Sequence, residues 1–210
     1  KGALLMQLYL RTVQRLLGPA ETFDTDFWNT PKAQRVFEIA EGREEEAREH
    51  IQGLGQRYLA AFRPQEIAAH LDYVEEAKDT GLVVATSTKE IAGMTEIVIC
   101  TQDRPGLFSQ IAGSFTSQLV DIHTAALFTR PDGYVLDSFV VVDTRRQAPL
   151  TPAQIESIQD VLRRVLLEFE DVQDYVDSSR RRIFALLQPR VPVTTRIDFD
   201  NHSSRNHTVI

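Results

Sequence analysis

Apolar residues in the first 80 positions recur at intervals of three and four, the spacing that lines one face of an α-helix. In "KGALLMQLYLRTVQRLL", Leu5, Leu8, Tyr9, Val13 and Leu16 repeat this way with Arg11 and Arg15 between them. That predicts an amphipathic helix over 4–17, closed by Gly18-Pro19. A second helix is expected over "NTPKAQRVFEIAEGREEEAREH", with Thr30 as N-cap and Pro31 at its first position. Shorter helices follow at 56–62 and 64–79. The latter opens at Pro64, ends at Gly81 and carries Ile67, Leu71 and Val74 on one face. No strand pattern is expected before residue 80.

From residue 82 the pattern changes. "LVVATST" and "TEIVICT" are β-rich runs. Residues 107–119 return to helical spacing, with Leu107, Ile111, Phe115 and Leu119 on one stripe. "VDIHTAALFT" and "YVLDSFVVVD" read as strands joined by the turn "RPDG". A long helix then starts at a capping box, Thr151 with Gln154, with Pro152 in its first turn. The order strand, helix, strand, strand, helix is that of a ferredoxin-like βαββαβ unit, one antiparallel sheet with both helices on one face. The fold class is therefore α+β, with an all-helical segment in front.

"TTRIDFD" at 194–200 can supply the last strand. Alternatively, 193–210 repeats the pattern of 82–99, and a second such unit begins near His207. The division expected is a helix of a preceding domain over 1–18, a helical connector over 19–81, the βαββαβ domain over 82–191, and a closing strand or new repeat over 192–210. A start in mid-helix and an end in mid-strand suggest a piece of something longer.

Composition narrows the function. The net charge is −7, against the basic surface that a general nucleic-acid binder needs. The cluster "SRRR" at 179–182 reads as a solvated helix face. The chain has one cysteine, Cys100, inside a strand pattern, so no internal disulfide forms and an inert buried thiol is expected. No apolar run approaches the ~20 residues that span a bilayer.

Catalytic constellations are hard to find. The five histidines, at 50, 70, 123, 202 and 207, have neither a neighbouring aspartate nor metal-ligand spacing. Asp24 and Asp26 in "FDTDFW" suggest paired metal-binding carboxylates, but no Gly-Ser turn precedes them, and turn or cap duties fit better. No nucleophile triad, Walker loop or GxGxxG occurs. What stands out is "DRPGLF", 103–108, between a strand and a helix. It is either a tight turn whose Leu107 and Phe108 plug the core, or a small-ligand loop. In the second reading the helix N-terminus near Gly106 offers N–H groups and a positive dipole end to a carboxylate. Asp103 would take an amine, so a free amino acid fits.

"TEIVICTQDRPGLFSQIAGSFTSQLVDIHTAALFTRPDGYVLDSFVVVD" resembles an ACT domain, the amino-acid-binding regulatory fold. With its flanks, the chain resembles the bifunctional uridylyltransferase/uridylyl-removing enzymes that modify the PII nitrogen-signal protein. "KGALLMQLYLRTVQRLL" is similar to that family's last HD-domain helix, "QRYLAAFRPQEIAAHL" to its connector, and "TRIDFDNHSSRNHTVI" to the entry of its second ACT repeat. The resemblance implies a cytoplasmic, glutamine-sensing regulatory segment with Asp103, Arg104, Pro105, Gly106, Leu107 and Phe108 as effector-binding residues. It implies PII as a partner through the parent enzyme, no nucleic acid or membrane, and a homodimer formed through the ACT sheet. Magnesium and UTP belong to the upstream transferase domain. This segment itself carries no catalytic motif, metal site or cofactor site. An ACT module from another amino-acid-controlled enzyme, or a ligand-free dimerisation module, is the alternative. Asp121, Asp137 and Asp143 are expected to limit uncontrolled pairing of strand edges.

Overall fold

The computed structural model describes residues 28–89 and 93–187. The helix expected at 4–17, Asp24, Asp26, His202, His207 and the stretch 192–210 lie outside them.

The described residues open with the helices α1 (Pro31–Ile39), α2 (Glu44–Leu54), α3 (Gln56–Ala61) and α4 (Pro64–Thr80). Thr30 caps α1 as expected, its side chain accepting from the Ala33 N–H at 3.3 Å. The single helix expected from Asn29 to His50 is in fact two. Gly42 takes φ +80°, and the Arg43 N–H turns back to the Ala40 carbonyl at 2.7 Å, so the chain reverses between α1 and α2. Arg43 then holds α2 against α4 through Glu46, Asp72 and Glu75.

The sheet contains β1 (Leu82–Lys89), β2 (Met94–Gln102), β3 (Val120–Thr129) and β4 (Tyr134–Asp143), all antiparallel, in the order β1-β2-β4-β3. Helix α5 (Leu107–Ser117) joins β2 to β3, and α6 (Pro152–Leu167) follows β4, opened by the expected Thr151–Gln154 capping box. The α+β architecture read from the sequence is thus observed. The side of β2 away from β4, where a closing strand of a βαββαβ unit would pair, is filled by β1. Gln159 of α6 covers part of the outer edge of β1, donating to the Val84 carbonyl at 3.1 Å.

Alternation along the strands sends side chains to two separate cores. On one face Ile97, Ile99, Val135, Phe139 and Val141 pack with Leu107, Ile111 and Phe115 of α5 and with Ile158, Val161, Leu162 and Val165 of α6. The opposite face is covered as well. Val83, Val98, Cys100, Phe128 and Leu136 pack against the buried stripe of α1–α4, including Ile51, Tyr58, Ile67, Leu71 and Val74. The helical connector and the sheet therefore share one core. Cys100 is fully buried there, and burial pushes its thiol up to about 12, so it is inert at neutral pH. Helix α7 (Val172–Leu187) packs on α5 where Gly113 has no side chain: a Cβ there would stand 2.7 Å from Val172 Cγ2.

Strand β3 is the other sheet edge, with a bulge at Ile122–Thr124 and most of its residues exposed or half-buried. Asp137 does not guard an edge. It lies in β4, which has neighbours on both sides, and is 5% exposed.

Candidate functional site

The 103–108 segment leaves β2 and enters α5. Its first residue is tied to the β3–β4 hairpin: the Asp103 N–H donates to the Gly133 carbonyl at 2.8 Å. Pro105 and Gly106 make the turn, and Gly106 adopts φ +83°, a left-handed conformation that ordinary side chains resist. A Cβ built at Gly106 would meet nothing within 4 Å. The position is thus kept bare by its backbone angle, and it opens onto solvent. Behind it, the Leu107 N–H reaches the Arg104 carbonyl at 3.2 Å and the Gln110 N–H reaches the Gly106 carbonyl at 3.0 Å. No side chain caps α5, so the N–H groups of Phe108 and Ser109 have no side-chain acceptor at the helix's positive end.

The six residues singled out in the sequence divide by task. Asp103, Pro105 and Gly106 are exposed. Leu107 is 4% exposed and plugs the α5–α6 core, as the turn reading requires. Phe108 does not plug it. Its ring is 48% exposed, with only one side toward Phe139, centroids 6.3 Å apart. Arg104 is committed to structure. Nη1 donates to the Leu166 carbonyl at 2.8 Å, Nε and Nη2 donate to Gln110 Oε1 at 3.3 and 2.9 Å, and the guanidinium covers the Phe169 ring at 5.0 Å. It thereby supplies a donor to one of the last carbonyls of α6.

Asp137, read from the sequence only as a guard of strand edges, lies close enough to this loop to feel the charge of Asp103. It shares a face with Val135 and Phe139 along β4 and with Ile99 and Leu127 across it. Burial, the larger cause, and the negative charge of Asp103 push its carboxyl up to about 7, with the Phe128 N–H acting the other way. The signal was in "YVLDSFVVVD": the aspartate falls on the same alternating face as Val135, Phe139 and Val141.

The hairpin that holds Asp103 is fixed on its other side to the connector. Arg130 donates to Asp132 from Nε and Nη2 at 3.0 and 2.9 Å, and also to Nδ1 of the buried His50. A guanidinium only donates, so His50 Nδ1 is unprotonated and the proton is assigned to Nε2. Nε2–H then donates to the Tyr58 oxygen at 2.8 Å, and the Tyr58 hydroxyl donates to His70 Nδ1 at 2.7 Å. One directed line of hydrogen bonds runs from the hairpin through α2 and α3 into α4. Burial first, then the charge of Arg130, push His50 down to about 3, so it stays neutral at physiological pH. Gly53 of α2 completes the contact, since a Cβ there would lie 2.7 Å from Pro131 Cδ.

A cavity of about 180 Å³ lies on the opposite face of the sheet, between α4 and β1–β2. Its charged lining is internally satisfied: Arg63 pairs with Glu66 at 2.9 Å, and Glu96 accepts from Ser87 and Ser138 at 3.0 and 2.8 Å. Among the described residues no group of His, Cys, Asp or Glu is placed to hold a metal ion, and no helix is long and apolar enough to cross a membrane.

No family model matches the chain. Its sequence is similar to bifunctional uridylyltransferase/uridylyl-removing enzymes. It is 31% identical to that of Nitrosospira multiformis over 77% of this chain and 18% of that protein. It is 29% identical to that of Vibrio cholerae over 76% of this chain and 18% of that protein. With that of Rhodospirillum rubrum it is 27% identical over the whole chain and 23% of the relative. The chain thus spans about a fifth of the length of the curated relatives it matches.

Proposed function

We propose that the chain, which is similar to bifunctional uridylyltransferase/uridylyl-removing enzymes over about a fifth of their length, is an amino-acid-sensing ACT segment of such an enzyme, with glutamine as ligand. The observation that carries this reading is the uncapped N-terminus of α5 beneath Gly106, a donor-rich, positively polarised mouth with open space around the bare Gly106 position. An amino acid's carboxylate is the complementary group. The parent enzyme would act on the PII protein in the cytoplasm, and this segment would report nitrogen status to it.

The fold offers a route for that report. The loop is tied to the hairpin through Asp103 and Gly133, and the hairpin to the connector through Arg130, His50 and Tyr58. Ligand binding would bias the connector only by its differential affinity for two arrangements of this joint. The exposed edge of β3 is the surface through which we expect a second copy to pair, and light scattering at micromolar concentration reads that mass.

Calorimetric titration of the chain with L-glutamine and a panel of other amino acids tests the reading. Saturable binding is expected, and it is expected to vanish in Gly106→Val, whose branched side chain would block the helix mouth. Because φ is +83° at this position, that variant also strains the turn, so its circular dichroism must be compared with wild type. Absence of binding by the wild-type chain, with a discrete dimer in solution, would favour the ligand-free pairing module instead.

A further inference from the structure

Taking a carboxylate out of water is costly unless a cation or several donors face it. Asp137 has neither. It is 5% exposed, and the hydrogen bond it receives is long, from the Phe128 N–H to Oδ1 at 3.4 Å. On its face of the sheet, β2 presents Ile97 and Ile99, β4 presents Val135 and Phe139, and α5 presents Leu107 and Ile111, all apolar. The charged group acting on it is Asp103 of the loop, which has the same sign. A buried carboxyl left in this state close to the positively polarised mouth of α5 is half of a dipolar site.

We propose that Asp137 receives the ammonium group of the amino acid bound at the 103–108 loop, an inference that rests on reading that loop as the effector site. The ligand's carboxylate lies at the N–H groups of Phe108 and Ser109. Its ammonium turns inward to Asp137, with Asp103 on the outer side. Phe108 and Leu127, 48% and 40% exposed beside this point, are the apolar surfaces the ligand covers. Leu127 is the cross-strand neighbour of Asp137, and the Phe108 ring leans on Phe139, two residues along the same face. Amine recognition then depends on pH. Asp137 must be ionised to hold the ammonium, so affinity is full above neutrality and falls as pH drops below about 7.

The test is calorimetry on the whole chain with L-glutamine and with its deamino analogue 4-carbamoylbutanoate, for wild type and Asp137→Asn, from pH 6 to 8.5. Wild type is expected to prefer glutamine at least tenfold at pH 8 and to lose that preference toward pH 6. Asp137→Asn is expected to bind glutamine at least tenfold more weakly, to bind the analogue as wild type does, and to show a flat pH profile. Glutamine binding with wild-type affinity and selectivity in Asp137→Asn overturns the assignment of Asp137 alone. A pH-independent preference in the wild-type chain does so without any variant. A wild-type chain that binds no amino acid overturns the effector reading, and this assignment falls with it.

Discussion

Tyr58→Phe removes one oxygen from the joint between connector and sheet. Tyr58 is fully buried, and His50 and His70 are 1% and 2% exposed, so none of the three exchanges its partner for water. The hydroxyl accepts from His50 at 2.8 Å and donates to His70 at 2.7 Å, so its loss strands a donor on one side and an acceptor on the other. Each stranded buried group costs about 1–3 kcal/mol, offset in part because the variant no longer desolvates a hydroxyl. The expected loss is about 2–4 kcal/mol. At roughly 2–4 °C per kcal/mol for a chain of this size, melting should fall by about 4–16 °C. The ring itself stays, so its packing on Phe62 and Phe128, centroids 5.2 and 5.3 Å away, is unchanged. Urea unfolding followed by circular dichroism at pH 7.5 gives the number directly. A loss below about 0.5 kcal/mol would mean that the directed line of hydrogen bonds contributes nothing to stability.

Three further outcomes follow from the same physics. Asp137 has a folded-state pKa of about 7, above its unfolded value, so the stability it contributes is present in acid and is lost as pH rises through 7. Asp137→Asn should therefore melt higher than wild type at pH 8, by about 2 kcal/mol after discounting for relaxation, with the gap closing by pH 4; equal melting at pH 8 refutes this. His50 has a folded-state value of about 3, below its unfolded one, so its contribution is complete above about 6.5 and is lost as pH falls toward 3. Wild type should lose about 2 kcal/mol from this group between pH 7 and 5, and His50→Gln should lose less over that interval; identical slopes would contradict the assignment. Gly53→Ala improves helix propensity by about 1 kcal/mol, yet its Cβ would press on the Pro131 ring at 2.7 Å. We expect a net loss in thermal melts, and a gain would show that the hairpin does not rest on α2.

Local signals were legible where a residue type has one physical meaning. Thr30 with Pro31, and Thr151 with Gln154, fixed helix starts, and Gly81, in the left-handed region at φ +83°, closed α4. Strands β3 and β4 took the residues their alternation indicated. Gly42 was less legible, because a glycine amid strong helix formers reads as a tolerated interruption until its φ of +80° is seen. Partnering between faces was not legible at all. The stripe of Ile67, Leu71 and Val74 indicates that α4 buries a face, but not that Val98, Cys100 and Leu136 cover it. The 103–108 segment was recognised as unusual from its residue types, whereas Asp137 depends on register. Only pairing Ile99 with Asp137 and Asp137 with Leu127 puts that carboxyl in the interior beside the loop.

Amide hydrogen exchange of the chain with and without saturating L-glutamine tests the sensing reading most directly, because it reports the site and the joint together. We predict slower exchange at 103–110, where the ligand occupies the free N–H groups, and at 130–137. A smaller change is expected at 50–58, where Arg130 meets His50 and His50 meets Tyr58. Exchange unchanged in 103–110, or protection confined to the cavity between α4 and β1–β2, would contradict the account.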